Sequence, residues 1–147
     1  MKIAAASDHA GFEVKDALVR RLRDEGHEVD DLGADGPEPR VDYPEYAGRV
    51  ARAVLSGEAE RGVLVCGSGL GMCMAANRYK GIRAANCLTE YLAEMSRRHN
   101  DANVICLPGR ILTPDEAWPI LEVWLATPFD GGRYERRANA LDELPKA

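Results

Sequence analysis

The stretch that decides the fold is residues 62–77, which read GVLVCGSGLGMCMAAN. It opens with small and apolar residues, which predict a buried strand. Three glycines at alternate positions follow, and then a run of good helix formers. A strand, a glycine loop and a helix in that order form an anion site, because the first amides of a helix have no partner inside it and the helix dipole adds positive potential there. We therefore expect the chemistry at Cys66, which ends this strand beside the loop.

Size and composition fit a single domain that spans residues 1–147. A chain of 147 residues can bury a core, and its composition of 46% hydrophobic and 29% charged residues argues against disorder. The net charge of −5 gives no reason to expect a nucleic-acid partner. No apolar run approaches the roughly 18 residues of a membrane span, and the first residues lack a signal-peptide layout. These features predict a cytoplasmic protein that binds no membrane.

The four cysteines, at positions 66, 73, 87 and 106, form no C-x-x-C pair. We interpret them as reduced thiols, which predicts neither a disulfide framework nor a zinc site. Cys66 stands apart because the field of a helix N-terminus favours the thiolate form. The other three are expected in the core.

Strand and helix patterns alternate along the chain. We predict strands at 2–6, 27–32, 62–66, 82–87 and 103–107, and helices at 12–25, 44–56, after the glycine loop, at 89–98, behind Thr113 and from near 133. Such alternation predicts a parallel sheet with helices on both faces. Ligands bind beyond the carboxyl ends of such strands. Asp8, His9, Cys66, Ser68 and Arg110 should therefore line one edge of the sheet.

The glycine loop does not match the common nucleotide-binding or phosphatase loops. Gly67, Gly69 and Gly71 have the spacing G-x-G-x-G, and no acidic residue ends the next strand, so a dinucleotide site is disfavoured. No Gly-Lys-Ser/Thr sequence follows, and Met72 stands where a cysteine phosphatase loop needs an arginine. The alternative is a plain turn from strand to helix. The density of glycines instead favours close approach of the backbone to a ligand.

Several charged and aromatic residues are candidates for ligand contacts. His9 and His99 lie in turns that we expect at the ligand edge, although a lone histidine is often structural. Arg133 and Arg137 share one helix face, and arginine forks match phosphate oxygens, although such runs often form a solvated surface. Tyr43 has a hydroxyl that can donate a hydrogen bond to a polyol; the alternative is that its ring only packs against the protein.

Seven short motifs together resemble the ribose-5-phosphate isomerase B family, which includes the galactose-6-phosphate isomerase subunits. They are SDHAG at 7–11, DYP at 42–44, CGSGLG at 66–71, AAN at 75–77, GIRA at 81–84, RHN at 98–100 and GGR at 131–133. The resemblance covers nearly the whole chain. It implies a Rossmann-like three-layer αβα sandwich with a five-stranded parallel sheet and an extra C-terminal helix. It also implies a homodimer or a dimer of dimers, a sugar-phosphate substrate, no cofactor and no metal.

The resemblance also implies a role for each site residue in interconverting an aldose phosphate and its ketose through an enediolate. Cys66 would be the base, and Ser68 with the loop amides would hold the oxyanion. His99 would help to open the sugar ring. The other expected substrate contacts are Asp8, His9, Tyr43, Gly67, Gly69, Leu70, Gly71, Asn100, Arg110, Arg133 and Arg137. In the family, the groups that hold the phosphate, including Arg110, come from the neighbouring subunit.

Departures from the family pattern narrow the hypothesis. One branch places a glutamate where this chain has Met72, which leaves Cys66 as the base. Many members have threonine where this chain has Ser68, so the hydroxyl is kept. The presence of His9 and His99 favours a cyclic pentose or hexose phosphate. We expect isomerisation of ribose 5-phosphate and ribulose 5-phosphate; the alternatives are another pentose or hexose phosphate, or a non-catalytic sugar-phosphate sensor.

Overall fold

The computed structural model describes residues 1–146, which form a parallel sheet between two layers of helices. The strands are β1 (Lys2–Ser7), β2 (Glu28–Asp31), β3 (Arg61–Cys66), β4 (Ala84–Asn86) and β5 (Val104–Pro108). Their order in the sheet is β2-β1-β3-β5-β4, and every neighbouring pair is parallel. The predicted three-layer Rossmann-like fold is confirmed.

The helices are α1 (Phe12–Asp24), α2 (Tyr43–Ser56), α3 (Leu70–Ala76), α4 (Glu90–Arg98), α5 (Pro114–Ala126) and α6 (Arg133–Asp142). Thr113 and Glu116 form a capping box at the start of α5. The Glu116 amide donates to Thr113 Oγ1 at 3.2 Å, and the Thr113 amide donates to Glu116 Oε1 at 3.1 Å. Helix α5 continues through Pro119 to Ala126.

The core lies in two layers, one on each face of the sheet. Alternating residues of the central strands point to opposite faces. Val63 and Val65 of β3 pack with α1 and α5, whereas Leu64 and Cys66 pack with α2 and α3. The alternation therefore places the Cys66 side chain in the layer that contains the helix after the glycine loop.

Two predictions were wrong in detail. Strand β4 covers residues 84–86, not 82–87, and one reason is that the Arg83 amide donates to the Asn103 side chain at 2.8 Å instead of to a strand. Cys73, predicted in the core, is only partly buried, because it lies on the side of α3 that faces β4 and donates to Ala84 O at 3.4 Å.

Among residues 1–146, no helix has the length and apolar character needed to cross a membrane.

Candidate active site

Three loops meet at the carboxyl edge of the sheet, where they follow β1, β3 and β5. The Asp8 amide donates to Val65 O at 3.2 Å, and the Gly109 amide donates to Cys66 O at 2.8 Å. The Arg110 amide donates to Gly67 O at 3.0 Å. These backbone hydrogen bonds fix the ends of the three strands relative to one another. The structure thus brings Asp8, Cys66 and Arg110 to a single edge, where strand order predicts a ligand site.

Cys66 is 5% exposed at the end of β3. The side chain of Arg110 lies along the backbone that follows it: a Cβ added to Gly67 would be 3.2 Å from Arg110 Cδ. Arg110 itself is exposed, so its guanidinium can meet a ligand. The structure thus places Arg110 beside Gly67 of its own subunit. The expectation that Arg110 serves the site of a neighbouring subunit stays a prediction.

Asp8 and His9 occupy the first turn at this edge. Asp8 is buried, and its Oδ1 accepts a hydrogen bond from the Gly11 amide at 3.0 Å, which orients the carboxylate across the start of α1. The Val41 amide donates to His9 Nδ1 at 3.1 Å. Because a backbone amide can only donate, Nδ1 carries no proton, and the neutral ring presents Nε2–H. His9 is thus a hydrogen-bond donor at this edge.

The glycine loop has a backbone that only glycine tolerates at its centre. Gly69 has φ +78°, and a Cβ there would overlap Asn86 Oδ1. The Leu70 amide donates to Ser68 Oγ at 3.3 Å, which closes a local turn. A Cβ added to Gly71 would lie 2.8 Å from Tyr43 Cζ, so the Tyr43 ring packs on the start of α3. Ser68 and Tyr43 are both exposed, with hydroxyls available to a ligand.

Sequence reasoning missed Asn86, which contacts the same loop from β4. Its Nδ2 donates to Ser68 O at 3.2 Å, and its buried Oδ1 has no hydrogen-bond partner among residues 1–146. The amide side chain therefore restrains the loop after Cys66. A signal was available, since Asn86 ends a strand and the strand-end rule applies to it as it does to Asp8.

A second group lies at the opposite edge. His99 follows α4, which runs back from the carboxyl edge, and it lies a few residues before the start of β5. The Asn103 amide donates to Arg83 O at 3.0 Å, which joins this turn to the start of β4. At about 3.3 Å per residue, β5 alone spans roughly 15 Å. The prediction that His99 faces the ligand edge of its own chain is wrong, and Asn100 shares its position at the amino edge.

Helix α6 brings its arginines to this second group. The rings of His99 and Tyr134 are stacked, and Arg133 Nη2 donates to Tyr134 Oη at 2.9 Å. Arg133 and Arg137 are exposed, so both guanidinium groups can meet an anion. Sequence reasoning missed Tyr134, because nothing in the local pattern links it to a histidine that precedes it by 35 residues.

An open groove of about 1140 Å³ also lies at the amino edge. Its lining includes Arg83, Asn100 and Asp142, and it does not include Cys66.

The candidate residues thus form two groups at opposite edges of one chain, which we call half-sites. The carboxyl half-site contains Asp8, His9, Tyr43, Cys66, Arg110 and the glycine loop, and the amino half-site contains His99, Asn100, Arg133, Tyr134 and Arg137.

The other three thiols differ in ionisation. A hydrogen bond with the Cys106 side chain is the main influence that lowers the pKa of Cys73 to about 7. Burial raises the pKa of Cys87 to about 11, and burial raises that of Cys106 well above its usual range. The more accessible thiol of the Cys73–Cys106 pair therefore ionises first.

No three His, Cys, Asp or Glu side chains among residues 1–146 converge on a possible metal position.

The fold and the strand-end cysteine define an α/β protein with a divided polar site, and comparison with known proteins assigns its family. Residues 3–141 match the model of the ribose/galactose isomerase family. The crystal structure of a ribose 5-phosphate isomerase from Thermotoga maritima superposes with a TM-score of 0.95 at 52% identity, over 97% of this chain and 98% of that one. The chain belongs to the ribose/galactose isomerase family and is an isomerase.

Two further relatives agree. Ribose-5-phosphate isomerase B of Escherichia coli is 44% identical over 143 residues, which are 97% of this chain and 95% of that protein. Ribose-5-phosphate isomerase B of Mycoplasma genitalium, solved with bound ribulose 5-phosphate, has a TM-score of 0.92 at 38% identity, over 97% of this chain and 94% of that one. The resemblance inferred from the seven sequence motifs is confirmed.

Proposed function

We propose that the protein interconverts ribose 5-phosphate and ribulose 5-phosphate through an enediolate, with Cys66 as the base. The observation that carries the proposal is a buried cysteine that ends β3 at the sheet edge where the backbones of Asp8, the glycine loop and Arg110 meet. The naming of its relatives as ribose-5-phosphate isomerases supports the choice of sugar. We further propose a cytoplasmic role in pentose phosphate metabolism.

In the proposed reaction, the Cys66 thiolate removes the proton from C2 of the open-chain aldose. The electron pair forms a C1–C2 double bond, and negative charge develops on O1. The thiol then returns the proton to C1, while the O2 proton leaves and O1 is protonated, so that no atom is gained or lost. A single base suffices because C1 and C2 are adjacent.

The glycine loop supplies donors where the charge develops. We propose that Ser68 and the amides of Gly67, Gly69, Leu70 and Gly71 stabilise the enediolate oxygen. Asp8 and His9 would hold sugar hydroxyls, with His9 as a donor through Nε2–H, and Tyr43 would bind another hydroxyl.

The two half-sites support a site shared between subunits. His99 would open the furanose ring by moving a proton between the ring oxygen and the anomeric hydroxyl. Asn100, Arg133 and Arg137 would bind the substrate and its phosphate, and Arg110 would bind it from the carboxyl half-site. Because the two half-sites lie at opposite edges of one chain, we propose that each completes the other in a homodimer or a dimer of dimers. Phosphate binding remote from C1 and C2 then helps to fix the reacting carbons.

A different sugar phosphate is the main alternative, and the family's own description as ribose/galactose isomerases favours considering a hexose phosphate. The deciding experiment incubates the protein with a panel of pentose and hexose phosphates in D2O and follows them by NMR. We expect conversion of ribose 5-phosphate with exchange of the transferred proton. Faster turnover of a hexose phosphate would change the substrate. Binding with neither conversion nor exchange would identify a sensor.

A further inference from the structure

The segment that contains the candidate phosphate arginines is held mainly by polar contacts. Helix α6 buries a single side chain, that of Ala138. Ion pairs secure the two ends of the segment: Arg98 Nε lies 3.2 Å from Asp130 Oδ2, and Arg83 Nη1 lies 3.0 Å from Asp142 Oδ2. The positions of Arg133 and Arg137 therefore depend on side chains outside their own helix.

Arg83 is the less exposed of the two arginines that secure the segment. Its side chain is 17% exposed, against 41% for Arg98, so its ion pairs are less screened by solvent. Arg83 Nη1 donates to both Asp142 carboxylate oxygens, at 3.0 and 3.3 Å. On its other side, Nη2 donates to Asp101 Oδ2 at 3.3 Å and Nε donates to Asp101 O at 2.9 Å. One guanidinium thus joins the end of α6 to the turn after α4.

The turn that Arg83 secures has an unusual backbone. Asp101 has φ +49°, a left-handed conformation that aspartate adopts only occasionally. Its second carboxylate oxygen accepts from Arg97 Nη1 at 2.8 Å. Two arginines therefore hold Asp101 directly after His99 and Asn100. Local strain maintained by surrounding contacts is typical of functional turns.

We propose that Arg83 is a positioning residue that fixes the phosphate-binding arginines of α6 relative to His99 and Asn100. The inference rests on the proposed function, and it adds a residue that touches no substrate. The hydrogen bonds of Arg83 with Asp142 fix the end of α6 and so determine where Arg133 and Arg137 meet the phosphate. The hydrogen bonds of Arg83 with Asp101 fix the turn that contains His99.

The ion pair of Arg83 with Asp142 can be removed by a substitution that leaves the contacts of Arg83 with Asp101 in place. Asp142→Asn removes the charge and keeps the side-chain shape at a position that is 35% exposed, so folding should be retained. We expect KM for ribose 5-phosphate and the inhibition constant of inorganic phosphate both to rise about fivefold, as for loss of a partly exposed ion pair, with kcat within about twofold. Asp142→Glu, which keeps the charge, should restore most of the affinity.

The matched control is Arg20→Met, which removes the exposed ion pair of Arg20 with Asp16 on α1 and should leave both constants unchanged. Unchanged constants in Asp142→Asn and Asp142→Ala would overturn the inference, as would a fall in kcat alone. A purely structural role would lower the melting temperature without the phosphate-specific change. If the unmodified protein converts no sugar phosphate, the proposed function fails; calorimetric titration with inorganic phosphate still tests the positioning role.

Discussion

The imidazole of His99 lies flat against the phenol ring of Tyr134, with ring centroids 4.2 Å apart and planes inclined by 11°. This contact joins the end of α4 to the first turn of α6. It also restricts rotation of the imidazole, which is the group proposed to open the sugar ring. The stacked pair therefore orients a candidate catalytic residue and anchors the helix that contains Arg133 and Arg137.

Replacing Tyr134 tests the value of this stacking. Tyr134→Ala should lower kcat for ribose 5-phosphate by about three- to tenfold, because an aromatic pair contributes about 0.5–1.5 kcal/mol. Tyr134→Phe keeps the stacking and loses only the hydrogen bond from Arg133, so its kcat should stay within about twofold of the unmodified value. Steady-state kinetics of the two variants measure the difference. Equal kcat values in the two variants would show that Tyr134 does not orient His99 by stacking.

Cys66→Ala should abolish turnover while substrate still binds. Loss of a positioned acid–base group lowers rates by about 10²- to 10⁴-fold. Isothermal titration with ribose 5-phosphate should give a dissociation constant within about threefold of the unmodified value, because the hydroxyl and phosphate contacts remain. Cys73→Ala is the matched control and should retain turnover. Substantial activity in Cys66→Ala would rule out the cysteine as the base.

Mixed dimers test whether the site is shared. Cys66→Ala damages the carboxyl half-site and His99→Ala damages the amino half-site, so each variant alone should be nearly inactive. Equal mixing should restore about a quarter of normal activity, because half of the dimers are mixed and each has one intact site. Cys66→Ala mixed with Arg110→Ala is the control, since both changes fall in the same half-site and no intact site can form. Recovery in the control mixture, or none in the test mixture, would contradict the shared site.

Gly11→Ala should destabilise the fold near Asp8. A Cβ at this position would overlap the backbone carbonyl of Val65, which cannot move without disturbing β3. Overpacking of this kind costs about 1–3 kcal/mol of the free energy of unfolding. Gly36→Ala is the control, because its nearest contact would be an ordinary 3.5 Å, and the change should stay within about 0.5 kcal/mol. Urea unfolding measures both; equal stabilities would show that α1 shifts freely.

Cys73 should react with alkylating agents at lower pH than an ordinary cysteine. Its pKa is lowered to about 7, so the thiolate fraction rises as the pH increases through this value. Site-resolved mass spectrometry after brief iodoacetamide treatment should give a rate with a midpoint near pH 7. Cys87, whose pKa is raised to about 11, is the internal comparison and should remain unmodified over the same range. A midpoint near the usual 8.5 for Cys73 would contradict the lowered pKa.

The strand-end residues were predictable from local pattern and strand order. Residues 62–77 contain a strand, a glycine loop and a helix that are visible in sequence. Parallel strands then require Asp8, Cys66 and Arg110 to share an edge, as the structure confirms. The rule failed for His99 because it applies to strand ends, whereas His99 follows a helix that returns to the opposite edge.

Contacts between distant residues were beyond the reach of pattern. The stacking of Tyr134 on His99 and the ion pair of Arg83 with Asp142 join segments that are 35 and 59 residues apart. Neither partner has a local signature, because periodicity reports the face on which a residue lies and not the side chain opposite it. The lowered pKa of Cys73 was not predicted for the same reason, since it depends on Cys106 in another element.

The separation of Cys66 from His99 across the sheet has a consequence for how the protein behaves at low concentration. If a complete site needs two chains, an isolated chain has no activity, however stable its fold. Activity per milligram should then fall on dilution below the dissociation constant of the dimer, following mass action. Turnover thus becomes a direct measure of assembly, and any agent that separates the subunits would act as an inhibitor without entering the site.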